Sequence, residues 1–213
     1  MTSWIYCTGF GPFPGVSINP TQLLMTDLAH LSFGDVELRT RVLDVSFQRS
    51  QEQIDQDLAT EQVPPLAMIH FGVCRDPFLR LETHALNCMD SPTMDVDGVV
   101  FHSVPIWERY SIHHRFQTSV DVAPLLSMLR KDGIPVFSSQ DAGRYVCNRV
   151  YAHSLYLQQQ LHPSPSCLFV HVPPLDCIYE GEGTIIWNRQ TLGRVGAEIV
   201  IWIIQQSLQK KIT

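Results

Sequence analysis

Short apolar runs rich in β-branched and aromatic residues alternate along this chain with stretches whose apolar residues repeat at helical spacing. That alternation constrains the fold more than any other feature, because it predicts an α/β domain built on a largely parallel sheet. The first run, Trp4 to Thr8, enters a Gly/Pro loop from Gly9 to Gly15. Asn19 then reads as a helix cap, with Pro20 at the first helical position and Gln22 three residues after the cap, and the helix is expected to end near Leu31. Val36, Leu38, Thr40 and Val42 alternate as a half-buried strand, followed by a helix from Ser46 to about Thr60 with Phe47, Ile54 and Leu58 on one face. Leu66 to Gly72 is a near-continuous apolar run, as expected of a central strand.

Between Val73 and about Arg115 the pattern is least regular, with short strands predicted around Leu81 to Leu86 and Val99 to Ile106 in an excursion from the sheet. Regular spacing returns with a helix capped by Asp121, running through Lys131 and closing at Gly133, and a strand from Ile134 to Ser138. A helix from about Gly143 to Gln160, a buried strand from Ser166 to Val172 stopped by Pro173-Pro174, and a closing helix from Thr191 to Gln209 complete the expectation. A length of 213 residues fits one domain, residues 1–213.

Charge and cysteine usage narrow the function. The net charge is −6, and no basic tract exceeds Lys210-Lys211, so the clustered cations that nucleic acids and anionic membranes require are missing. The most apolar segment, Val195 to Ile204, is interrupted by Gly196 and Glu198 and falls short of the roughly 20 residues of a spanning helix. The N-terminus lacks the cationic and apolar regions of a secretory signal. Six cysteines are spaced irregularly without any C-x-x-C, which excludes a disulfide scaffold. The expectation is a cytoplasmic protein whose thiols stay reduced.

In an α/β sheet, ligands gather beyond the carboxyl ends of strands, so residues there are the first candidates. Gly9-x-Gly11 follows a strand, but the third glycine comes one residue late, at Gly15, and Pro12 and Pro14 remove donors that a pyrophosphate cradle would use. Phe10 and Phe13 on that rigid loop could instead wall a small apolar pocket. Cys147 falls early in a predicted helix, where free N–H groups and the macrodipole favour a thiolate. His171 at a strand tip could serve as its base, and a carboxylate such as Glu82 could orient the imidazole. Six cysteines and nine histidines leave many other pairings open, and a buried cysteine also serves as a small apolar residue. No H-E-x-x-H, paired C-x-x-C, P-loop or G-x-S-x-G occurs, and His113-His114 are adjacent and would point apart, so no metal site is expected.

Four strings in fixed order carry a resemblance that spacing could not. They are Thr8-Gly9-Phe10-Gly11-Pro12-Phe13 with Asn19-Pro20-Thr21, then Leu81-Glu82-Thr83-His84-Ala85-Leu86-Asn87, then Ser138 through Asn148 around Cys147, and Phe169-Val170-His171-Val172-Pro173-Pro174. Together they resemble the pyroglutamyl-peptidase I (pyrrolidone-carboxylate peptidase) family from about residue 4 to 205, in wording similar to its animal-type members. The resemblance implies a three-layer α/β/α sandwich of the phosphorylase/hydrolase-like kind with a mixed, largely parallel sheet. It implies a cysteine peptidase that removes N-terminal 5-oxoproline from peptides through a thioester acyl-enzyme, with no metal or organic cofactor.

By motif, Cys147 would be the nucleophile, His171 the base and later acid, and Glu82 the group holding the histidine. Phe10, Phe13, Asn19 and Val73 fall at positions that contact substrate, Asn19 also shaping the loop as a helix cap. Where many members carry a glycine-rich loop, this chain has Gly72 through Arg80, so Val73 would offer substrate only its backbone. Pro92-Thr93-Met94-Asp95-Val96 stands where many members carry an arginine-bearing segment. The expected partners are peptides beginning with pyroglutamate, in a monomer or homo-oligomer. The alternative is a family member that kept the pocket but has weak or no turnover and acts in binding or regulation.

Overall fold

The computed structural model describes residues 3–181 and 183–210. Its elements, in order, are β1 (Ser3–Phe10), α1 (Pro20–Leu28), β2 (Val36–Leu43), α2 (Arg49–Ala59), β3 (Ala67–Val73), β4 (Leu79–Glu82), β5 (His84–Leu86), β6 (Met89–Ser91), β7 (Phe101–Val104), β8 (Arg115–Gln117), α3 (Ala123–Lys131), β9 (Val136–Ser139), α4 (Val146–Gln160), β10 (Ser166–Val172), β11 (Cys177–Glu180), β12 (Thr184–Trp187) and α5 (Arg189–Lys210). Six strands form the central sheet in the order β2-β1-β3-β10-β4-β9. The first four run parallel; β4 pairs with β10 antiparallel and with β9 in parallel, which makes the sheet mixed.

Period-2 alternation along the strands divides the apolar residues between two faces. Ile5, Cys7, Ile69, Phe71, Leu168 and Val170 pack with Leu24 and Leu28 of α1, Leu125 of α3 and Ile199 of α5. Their neighbours Trp4, Tyr6, Met68, Cys167 and Phe169 pack with Ile54 of α2 and Val150, Tyr151 and Leu155 of α4. The result is the three-layer α/β/α sandwich expected from the resemblance. None of the described helices is long and apolar enough to cross a membrane.

Several boundaries differ from the sequence expectation. The helix expected to reach Leu31 ends at Leu28. The one expected from Gly143 begins at Val146, because Gly143 takes a φ of 84°, outside the helical region. The short strands expected around Leu81 to Leu86 are β4 and β5, which part at Thr83: β4 enters the central sheet while β5 leaves it to pair with β8. The irregular region is indeed an excursion, formed by the β5-β8 and β6-β7 ribbons. The β11-β12 hairpin was not anticipated.

Candidate active site

The loop after β1 is held by its own polar side chains. Asn19 is 1% exposed, accepts from the Thr21 N–H at 3.1 Å and donates to the Gly11 carbonyl at 3.0 Å. Both ends of its amide are therefore used to shape the loop. Thr21 Oγ1 accepts from the Phe10 N–H at 2.9 Å. Phe10 itself is 2% exposed and lies against Phe169, with ring centroids 6.4 Å apart. It stands within the core and is not among the residues lining the open cleft, whereas Phe13 does line that cleft.

Pairing of β10 with β4 brings acid and base together. His171 lies opposite Arg80 and Phe169 opposite Glu82, so the side chains of these four residues share one face. The fully buried Glu82 accepts at Oε1 from His171 Nδ1 over 2.8 Å. With Nδ1 as donor, the lone pair of the ring stays on Nε2. The Tyr151 hydroxyl, from α4, donates to the Glu82 backbone carbonyl at 2.7 Å and fixes the strand from above.

The third residue arrives from the helix layer. On the other side of β10, Gly72 of β3 is the register partner of His171. A Cβ placed on Gly72 would stand 2.9 Å from Cys147 Sγ and 2.7 Å from Phe169 Cζ. Only glycine lets the sulfur settle so close to the strand beside His171. Cys147 is the second residue of α4, and Tyr145 at the cap makes no side-chain capping bond. The first helical bond in this turn runs from the Arg149 N–H to the Tyr145 carbonyl, leaving the N–H groups before it without helical acceptors. Asn148 anchors the turn: it accepts from the Leu86 N–H at 2.8 Å and donates to the carbonyls of Leu86 and Cys88, each at 2.9 Å.

One electrostatic expectation is reversed. Desolvation, and next the negative charge of Glu82, push the Cys147 thiol up to about 12, although its own backbone N–H and Arg80 act in the opposite direction. At this half-buried position, desolvation and the Glu82 charge thus oppose the helix start and hold the thiol above its ordinary value.

A cleft of about 720 Å³ opens here, lined by Phe13, Val73, Tyr145, Thr93, Arg75 and Leu175 among others. Two of its lining residues are close in sequence to the sulfur and its strand neighbour: Val73 follows Gly72, and Tyr145 precedes Cys147 by two residues. The rings of Phe13 and Tyr145 face across it with centroids 6.4 Å apart. A second cavity, about 560 Å³ near α2, holds an Arg49 already paired with Asp44 and Asp97. Tyr145 was missed as a lining residue, although the aromatic position before Val-Cys-Asn was its signal. Arg80 was missed too; its place two residues before Glu82 on a strand, hence on the same face, could have revealed it.

A family model described as "Pyroglutamyl peptidase" matches residues 3–183. The pyrrolidone-carboxylate peptidase of Pyrococcus furiosus is 30% identical over 79% of this chain and 80% of its own length, and that of Halalkalibacterium halodurans 32% identical over 81% and 85%. Among solved structures, the pyrrolidone carboxyl peptidase of Fervidobacterium islandicum superposes with a TM-score of 0.85 at 29% identity, covering 95% of this chain and 99% of that one. The enzyme from Thermococcus litoralis gives 0.84 at 25% identity, covering 98% and 96%. The matched span takes in every segment that lines the cleft, together with Glu82, Cys147 and His171: this chain belongs to the pyroglutamyl peptidase family.

Proposed function

We propose that residues 1–213 form a single catalytic domain, a cytoplasmic cysteine peptidase that removes N-terminal pyroglutamate from peptides with Cys147, His171 and Glu82 as its reacting groups. The observation that carries this reading is the 2.8 Å contact of His171 with buried Glu82, next to a sulfur that overhangs the strand partner of His171. His171 Nε2 takes the thiol proton as Sγ attacks the pyroglutamyl carbonyl carbon, and the Nδ1–H to Glu82 steadies the imidazolium that forms. The tetrahedral oxyanion would face the N–H groups without helical acceptors at the start of α4. As the C–N bond breaks, His171 returns the proton to the leaving amine, and a thioester remains. Water, losing a proton to His171, then releases pyroglutamate and restores the thiol.

A neutral lactam needs an apolar slot and a few hydrogen bonds. Phe13 and Tyr145 supply the aromatic walls, Val73 its backbone, Phe10 the backing through Phe169, and Asn19 the shape of the loop. Release of aminomethylcoumarin from pyroglutamyl-aminomethylcoumarin by purified protein tests the proposal. Turnover is expected to vanish with Cys147→Ala, and release no greater than that variant's would overturn it.

A further inference from the structure

A line of charge runs from the surface into the proposed site. Half-buried Asp76 holds Arg80 Nη1 at 3.1 Å; Arg80 Nε lies 3.3 Å from Glu82 Oε1, and its Nη2 3.5 Å from His171 Nδ1. The placement follows from register: Arg80 is the cross-strand partner of His171 and stands two residues from Glu82, so strand alternation aims all three at one point. Glu82 needs such a neighbour, because it is fully buried and Oε2 has no hydrogen-bond partner among the described residues. A buried carboxylate with one bare oxygen is costly unless a cation balances it.

We propose that Arg80 is a positioning residue of the peptidase site, a fixed cation that balances the charge of Glu82 and thereby sets the pH at which the Cys147–His171 pair becomes reactive. The proposal rests on the peptidase reading for its kinetic arm alone. The charged and titratable groups around Arg80 are Asp76 on the loop before β4, Glu82 on β4, His171 on β10, Cys74 beyond β3, and Cys147 and Tyr151 on α4. The negative field of Glu82 opposes ionisation of the Cys147 sulfur and the positive field of Arg80 favours it. Removing Arg80 therefore makes the thiolate harder to form, and the pH profile moves to higher pH. The macroscopic values belong to the pair, so the shift of the whole curve is the quantity to read.

The test compares Arg80→Gln, which removes the charge at similar size, with Arg80→Lys, which keeps it. Iodoacetamide labelling of Cys147, followed by peptide mass so that Cys74 is counted separately, needs no turnover. At pH 8 the labelling rate is expected to fall roughly 3- to 10-fold in R80Q, the equivalent of about half to one pH unit, and to return close to the wild-type rate in R80K. The kcat/KM profile for a pyroglutamyl substrate is expected to move to higher pH by the same amount in R80Q, with KM little changed. Labelling that is unaffected in R80Q overturns the proposal. So does a rate lowered equally at every pH, which marks a packing role, and so does failure of lysine to restore the curve. If wild-type protein cleaves no pyroglutamyl substrate, the peptidase reading falls while the labelling arms still decide the part of Arg80.

Discussion

Gly72→Ala probes how close the nucleophile sits to the sheet. A methyl group at this position would stand 2.9 Å from Cys147 Sγ and 2.7 Å from Phe169 Cζ, whereas comfortable contact starts near about 3.5 Å. The sulfur, the ring or the strand must retreat by more than about half an ångström. Misplacing a reacting atom by about 1 Å costs on the order of 100-fold in rate, so kcat/KM should fall about 10- to 100-fold, or about 1.4–2.7 kcal/mol of barrier. Overpacking should also destabilise the fold by about 1–3 kcal/mol, lowering Tm by about 2–4 °C per kcal/mol. Gly196→Ala is the matched control. Its Cβ would meet Leu24 Cδ1 at 2.6 Å, in the α1–α5 interface of the opposite layer. It should lower Tm on the same scale and leave kcat unchanged. Both variants are assayed with pyroglutamyl-aminomethylcoumarin well below their melting points. A G72A protein that melts lower yet keeps wild-type kcat/KM would refute the reasoning, as would equal loss of activity in folded G196A.

Glu82→Gln keeps the shape of the buried acceptor but removes its charge, and kcat should drop by about 100- to 10,000-fold; steady-state rates within tenfold of wild type would remove Glu82 from its role. Asn148→Ala strands the Leu86 N–H and two carbonyls, so urea denaturation should register a loss of about 2–4 kcal/mol, and a change under about 0.5 kcal/mol would contradict the anchoring described. Burial pushes His70 down to about 3. Below pH about 6.5 the unfolded chain then binds a proton that the folded chain refuses, so stability present above that pH is lost as pH falls toward 3. His70→Asn should flatten this part of the curve, and identical losses in urea midpoint between pH 7 and pH 4.5 for both proteins would count against it.

Strands whose burial is continuous were legible from the chain alone: Ser166 to Val172 is apolar almost throughout and became β10 residue for residue. Cys147, Glu82 and His171 could be nominated because each stands in a distinctive string. The direction of β4 was hidden, since an apolar pattern gives the same signal whichever way a strand runs, and its partner His171 lies 89 residues away. The hairpin after Pro173-Pro174 was hidden because Ile178 and Ile186 face outward, 52% and 51% exposed, and leave no buried alternation to read. The Cys147 thiol was misjudged for a related reason. Its local address, a helix start, is written in the sequence, whereas Gly72, whose close approach partly covers the sulfur, comes from a strand far away in the chain.

The antiparallel seam between β10 and β4 divides the reacting groups into two mechanical parts. Histidine and glutamate ride on one plate, stitched by the backbone ladder between β10 and β4. The sulfur rides on a separate body, α4, fastened to that plate by the Tyr151 hydroxyl and to the β5 excursion by the Asn148 clasp. Slack in this machine therefore collects at one joint, between sulfur and imidazole. Warming, mild denaturant or a loosened helix should disengage catalysis while the acid and base stay aligned, so activity fades before the sheet melts.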